Sequence, residues 1–214
     1  MSTTETRHPS TTEAYGPPSV KTRLVNPTTI YCPRDLPDLW RQADPGQPPP
    51  LATRWREQYP DLFDEDDLAL LVNQARRGYH FYEWYAAIHL FQRDGSRSLV
   101  EKYDTYENHR LNHRRQGHRR KVAEYERVVP ESQRQVLHEI CSLCRAQLPD
   151  LLVMPADGTS FAFAEVKGAT DGSLHRQGQR CVRDAILQRL GVPVEVIRVC
   201  LGPAPGGGSQ APGS

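Results

Sequence analysis

The stretch from Pro149 to Lys167, PDLLVMPADGTSFAFAEVK, constrains the fold more than any other part of the chain. The apolar run Leu151 to Met154 leads into Pro155, Asp157 and Gly158, and then into the alternating Phe161, Phe163, Glu165 and Lys167. Such a pattern reads as strand, tight turn, strand. A turn centred on Asp157 and Gly158 sets Asp150 opposite Glu165, and Glu165 shares a strand face with Lys167 because side chains two apart point the same way. Two carboxylates held that close repel one another. A fold keeps them when one is protonated or when a cation lies between them, and hard oxygen ligands beside a lysine suit Mg2+ or Mn2+.

The rest of the pattern predicts an α/β domain. An acidic helix start at Asp64, Glu65, Asp66 and Asp67, read as a solvated cap, precedes Leu68 to Ala75. Gly78 then opens an aromatic-rich helix over Tyr79 to Arg93, closed by Asp94-Gly95, on which Glu83 lies among apolar neighbours and needs a partner. Residues 96–107 are open between a strand and a frayed helix end. Helices are predicted over Lys121 to Val129 and Ser132 to Leu148, divided by Pro130, with Val136, Ile140, Leu143 and Leu148 as packing positions. After the hairpin come a helix over Leu174 to Leu190, capped by Gly191, and a buried strand over Val194 to Val199, parallel to a neighbour because it follows a crossover helix. Residues 1–54, rich in Pro, Ser and Thr, are expected to be a disordered or extended arm with at most a short turn around Leu36 to Trp40, and the tail 203–214 is expected to be disordered. Pro37-Asp38 and Pro60-Asp61 carry no chemistry, because no pair of strands follows either.

A net charge of +1 provides no global field for nucleic acid, so any such affinity must come from clustering. Asn108 to Lys121 supplies it, with Arg110, Arg114, Arg115, Arg119, Arg120 and Lys121 and no acid. The stretch is either a solvated basic surface or a phosphate-binding one with salt-dependent, sequence-independent affinity. Five cysteines without a secretory segment read as reduced thiols. His138, Cys141 and Cys144 on one helix, completed by Cys181 or Cys200, form a weaker zinc alternative. No apolar run nears the roughly 20 residues of a membrane span, so a soluble, cytoplasmic protein with no membrane partner is expected.

Pro149-Asp150 followed by Glu165-Val166-Lys167 resembles the signature of the PD-(D/E)XK nuclease superfamily. EVKGATDGSLHRQGQ, and the upstream helix GYHFYEWYAAIHLF, narrow the resemblance to its VRR-NUC branch, over roughly residues 78–200. The resemblance implies a restriction-endonuclease-like core, a mixed sheet with flanking helices, over residues 55–202, with a basic helical insertion at about 104–148. It implies a metal-dependent nuclease acting on DNA, often on branched or flapped structures of the kind met in DNA repair. Glu83, Asp150, Glu165 and the Val166 carbonyl would bind the metal, with Lys167 and Gln177 completing the catalytic set and Gln179 the alternative to Gln177. Arg114, Arg115, Arg119, Arg120 and Lys121 would hold the nucleic acid. RNA is not excluded, since nothing in the hairpin reads the sugar, and a non-catalytic binding module on the same fold remains open. One small domain offers limited surface for a junction, which leaves room for a homodimer.

Overall fold

The computed structural model describes residues 27–63, 65–72, 75–100, 103, 116–158, 160–168 and 177–203. The first 26 residues and the tail after residue 203 lie outside them, as do Arg110, Arg114, Arg115 and Leu174. In chain order the elements are β1 (Thr28–Cys32), α1 (Leu36–Arg41), α2 (Pro50–Gln58), α3 (Glu65–Leu71), a 3-10 turn (Ala75–Arg77), α4 (Phe81–Asp94), β2 (Arg97–Val100), α5 (Gln116–Val128), α6 (Glu131–Cys144), β3 (Leu151–Met154), β4 (Ala162–Lys167), α7 (Gln177–Leu190) and β5 (Val194–Leu201).

Five strands form one mixed sheet in the order β1-β5-β4-β3-β2. Its centre is the predicted hairpin. Leu151 pairs with Ala164, Leu152 with Phe163 and Val153 with Ala162 in antiparallel register, as the turn chemistry requires, and Gly158 adopts φ +64° where the chain reverses. The crossover through α7 returns β5 parallel to β4, with Glu165 beside Val196 and Lys167 beside Arg198. The ambiguous stretch after α4 resolves as the strand β2, antiparallel to β3.

Helices cover both faces, which is why β3 and most of β4 are buried along their length rather than in alternation. On one face Ala164 and Val166 meet α1 to α4, in a core rich in Trp40, Trp55, Phe63, Phe81 and Trp84. On the other, Leu152, Phe163 and Val194 meet Tyr125 and Val129 near the end of α5, Leu137 and Ile140 of α6, and Val182 and Ile186 of α7. Burial of each large apolar side chain contributes about 1.5–3 kcal/mol. Among the described residues no helix is long and apolar enough to cross a membrane.

Three expectations are corrected here. The arm expected to be disordered through residue 54 contributes the edge strand β1, parallel to β5 from Thr28–Ile197 to Cys32–Leu201, and α1, whose Trp40 is fully buried and donates its indole N–H to the Tyr79 carbonyl at 3.0 Å. Alternating Ile30 and Cys32 give β1 an apolar inner face, and Pro27 and Pro33 only bracket it. Second, Cys144 and Cys181 form a disulfide, because α6 packed on α7 brings their Cα atoms to 5.6 Å. Cys32, Cys141 and Cys200 are outside any disulfide, and the bridge removes Cys144 and Cys181 from the zinc set. Third, Leu143, expected to pack, is 77% exposed on α6, while Ile140 takes the core position.

Candidate active site at the end of the central strands

Asp150, Glu165 and Lys167 meet where β3 begins and β4 ends. Continuing the hairpin register by one residue places Asp150 opposite Glu165. The Val166 N–H donates to Asp150 Oδ2 at 2.7 Å, so the backbone between Glu165 and Lys167 fixes the carboxylate across the strand. Lys167 Nζ lies 2.6 Å from Glu165 Oε1, and both side chains are buried. Lys167 Nζ also donates to Gln179 Oε1 at 3.0 Å. An ammonium has three N–H donors. Among the described residues Glu165 and Gln179 take two, leaving one.

Several neighbours hold this end of the sheet in place. Tyr103 donates its hydroxyl to the Pro149 carbonyl at 2.6 Å and stacks near Phe163, anchoring the residue before Asp150. Gly168 follows Lys167 against the ring of Tyr82, where a Cβ would lie 2.7 Å from two ring carbons. Only glycine lets the strand end approach α4 that closely. Tyr82 precedes Glu83, and Glu83 is near enough for its charge to act on Asp150. Burial, then the negative charges of Glu165 and Glu83, push the Asp150 carboxyl well above its ordinary range, against the opposing pull of the Val166 N–H and the Lys167 ammonium. Glu165 and Glu83 thus both act on Asp150, and Lys167 opposes them.

Of the expected catalytic residues, Glu83, Asp150, Glu165 and Lys167 come together. Gln177 does not join them. It is exposed at the first position of α7, and Gln179 is the amide that reaches the lysine. Among the described residues, no three His, Cys, Asp or Glu side chains converge tightly enough to enclose a metal ion by themselves. Two carboxylates and a backbone carbonyl nevertheless suit Mg2+ or Mn2+, which usually keep several waters and need only one or two protein carboxylates. The surplus of negative charge around Asp150 is what a cation would relieve. Asp150, Glu165 and the Val166 carbonyl are the groups here that would hold such an ion.

The expected nucleic-acid residues fare differently. Arg114 and Arg115 lie outside the described residues, and Arg119 lies on α5. Lys121 is 5% exposed. Its Nζ lies 2.9 Å from Asp67 Oδ1, donates to the Val100 carbonyl at 2.8 Å and lies 5.6 Å from the centre of the Trp84 ring. Arg120 reaches the same Asp67 at 3.4 Å. Lys121 is therefore a tie between α3, α4, β2 and α5, not a solvated phosphate contact. The acid its stretch lacks comes from Asp67, expected as a solvated cap and found 3% exposed. No sequence signal distinguished Asp67 from its three acidic neighbours, and none separated Gln179 from Gln177.

Comparison with known proteins returned nothing: no family model, no curated protein and no solved structure matches this chain.

Proposed function

We propose that the protein is a divalent-metal-dependent nuclease that hydrolyses phosphodiester bonds in DNA on a restriction-endonuclease-like core of the VRR-NUC type. The observation that carries the reading is the arrangement Asp150, Glu165, Lys167 and Gln179 at the end of the central hairpin, with the Val166 backbone between the acids. Ligands and reactive groups gather at the carboxyl ends of strands in α/β sheets, and Lys167 closes β4 at that end. Asp150, Glu165 and the Val166 carbonyl would hold Mg2+ or Mn2+. When bound, the ion supplies polarisation of a phosphate oxygen and a lower pKa for the attacking water.

The chain's own groups do the rest. Glu165 and Gln179 aim the Lys167 ammonium, and its remaining N–H donates to an oxygen of the scissile phosphate, where negative charge grows in the transition state. The Val166 N–H keeps Asp150 turned toward the shared space. Glu83 orders water beside Asp150. Branched or flapped DNA is the substrate class the resemblance favours.

The test is cleavage of labelled flap, junction, duplex and single-stranded DNA, and of single-stranded RNA, with Mg2+, Mn2+ or EDTA. Parent protein is compared with Asp150→Asn and Lys167→Ala. Metal-dependent cleavage lost in both variants is expected, and the preferred substrate separates DNA from RNA. Cleavage unchanged in either variant or in EDTA would contradict this site, and tight binding without cleavage would replace it with a non-catalytic module.

A further inference from the structure

We propose that the Cys144–Cys181 bridge is a site of exchange with a dithiol reductant, a switch that holds Gln179 on Lys167 when closed and releases it when opened. The first turn of α7, Gln177 to Arg180, offers the core no apolar side chain, and the first buried residue of the helix is Val182. The opening N–H groups of a helix lack intrahelical partners, so such a turn frays unless its neighbours tie it down. Here they do. Gln179 Oε1 accepts from Lys167 Nζ at 3.0 Å. Gly178 lies against the chain leaving α6, where a Cβ built on it would stand 3.0 Å from the Ala146 Cβ and 3.3 Å from the Cys144 carbonyl oxygen. Cys181, two residues beyond Gln179, is covalently bonded to Cys144.

The bridge is within reach of a reductant. Cys181 is exposed and Cys144 half-buried, whereas Cys141, one turn earlier on α6, is 2% exposed. A thiolate of the dithiol attacks Cys181 Sγ, the bond to Cys144 breaks, and Cys144 leaves as a thiolate that takes up a proton. The second thiol of the reductant then attacks the mixed disulfide, displaces Cys181 as a thiol and leaves the reductant as its own disulfide. Two electrons and two protons pass to the protein. Beyond the bridge α7 stays seated, because Val182 and Ile186 are buried in one core with Leu137 and Ile140 of α6, and Arg189 reaches Glu139 at 2.6 Å. Opening therefore loosens one turn and not the fold. Lys167 keeps Glu165 and loses the amide that aims it. The consequence for cleavage rests on the nuclease reading; the hold of the bridge on Gln179 does not.

The test compares the full chain, oxidised and after native incubation with dithiothreitol, with Cys181→Ser and Gln179→Ala. Alkylation should count three thiols before reduction and five after. The amides of Cys181, Val182 and Arg183 bond to the carbonyls of the first turn. Their hydrogen exchange, read by NMR, should speed about tenfold or more on reduction and in Cys181→Ser, while that of Ile186 to Leu190 changes by less than about twofold. Reduction should slow metal-dependent cleavage by the parent about fivefold to tenfold, the effect of one hydrogen bond lost from the lysine, and leave the rates of Gln179→Ala and Cys181→Ser where they were. A bridge that stays closed in dithiothreitol, unchanged exchange at the three amides, exchange speeded along the whole helix, or an equal slowing of cleavage in Gln179→Ala would overturn the proposal. A protein that cleaves nothing in either state contradicts the nuclease reading alone, and the exchange measurement still decides the switch.

Discussion

Two buried lysine–carboxylate pairs, Lys167–Glu165 and Lys121–Asp67, use the same chemistry in opposite surroundings. Their N–O distances are 2.6 and 2.9 Å, and both are shut away from solvent. Around Lys167 the excess is negative, since Asp150 and Glu83 share the space. Around Asp67 cations gather instead, since Arg120 joins Lys121 on the same carboxylate. A buried ion pair whose neighbours add no uncompensated charge is a structural tie. One with surplus charge has an unmet electrostatic need, and a ligand of opposite sign relieves it.

The comparison is most easily broken by removing one acid from each pair region. Asp67→Ala should destabilise the fold by about 3–5 kcal/mol in urea unfolding, because Lys121 is left buried without its carboxylate. Asp150→Asn should leave stability at pH 7 unchanged or higher, since it removes a charge its neighbours oppose while an amide oxygen can still accept the Val166 N–H. Equal losses in the two variants would show that the acids are not differently placed.

pH sharpens the same contrast. The Asp150 carboxyl is raised in the folded protein above its ordinary value of 3.8, so the folded state holds a proton that the unfolded state has released. Its contribution to stability is present at low pH and is lost as pH rises from about 4 through the raised folded value. In metal-free buffer, Asp150→Asn should therefore gain stability relative to the parent across that interval, read from urea midpoints at successive pH values. A pH-independent difference would contradict the acid-rich environment.

Smaller effects divide the two glutamines on α7. Gln179→Ala removes one neutral partner of the lysine, and about a fivefold to tenfold loss of cleavage is expected from a hydrogen bond worth about 1 kcal/mol. Gln177→Ala, two residues earlier and exposed, should change cleavage by less than about twofold.

How far these features were legible follows the distance over which each is determined. The hairpin could be read because a tight turn fixes strand register locally, so Asp150 faces Glu165 once Asp157 and Gly158 are recognised. Helix α4 was legible from its aromatic spacing and the glycine that ends it. β1 was not: its partner β5 is far along the chain, and a short strand between two prolines looks like an extended arm until that partner is present. Which glutamine meets Lys167 depends on where α7 starts and how it is rotated on the sheet, and neither is written in the spacing from the lysine. Lys121 looked like part of a free basic run because Asp67 lies on a different helix. The Cys144–Cys181 bridge likewise arises from two helices packing together across 37 residues of chain.

The central claim, that the acid surplus at the sheet end is a cation site serving hydrolysis, is tested most directly by calorimetric titration of the protein with Mn2+ in parent, Asp150→Asn and Asp67→Asn forms. Saturable binding in the parent that is abolished by Asp150→Asn and retained by folded Asp67→Asn is the predicted result. Binding that survives Asp150→Asn, or no saturable binding in the parent, would contradict it.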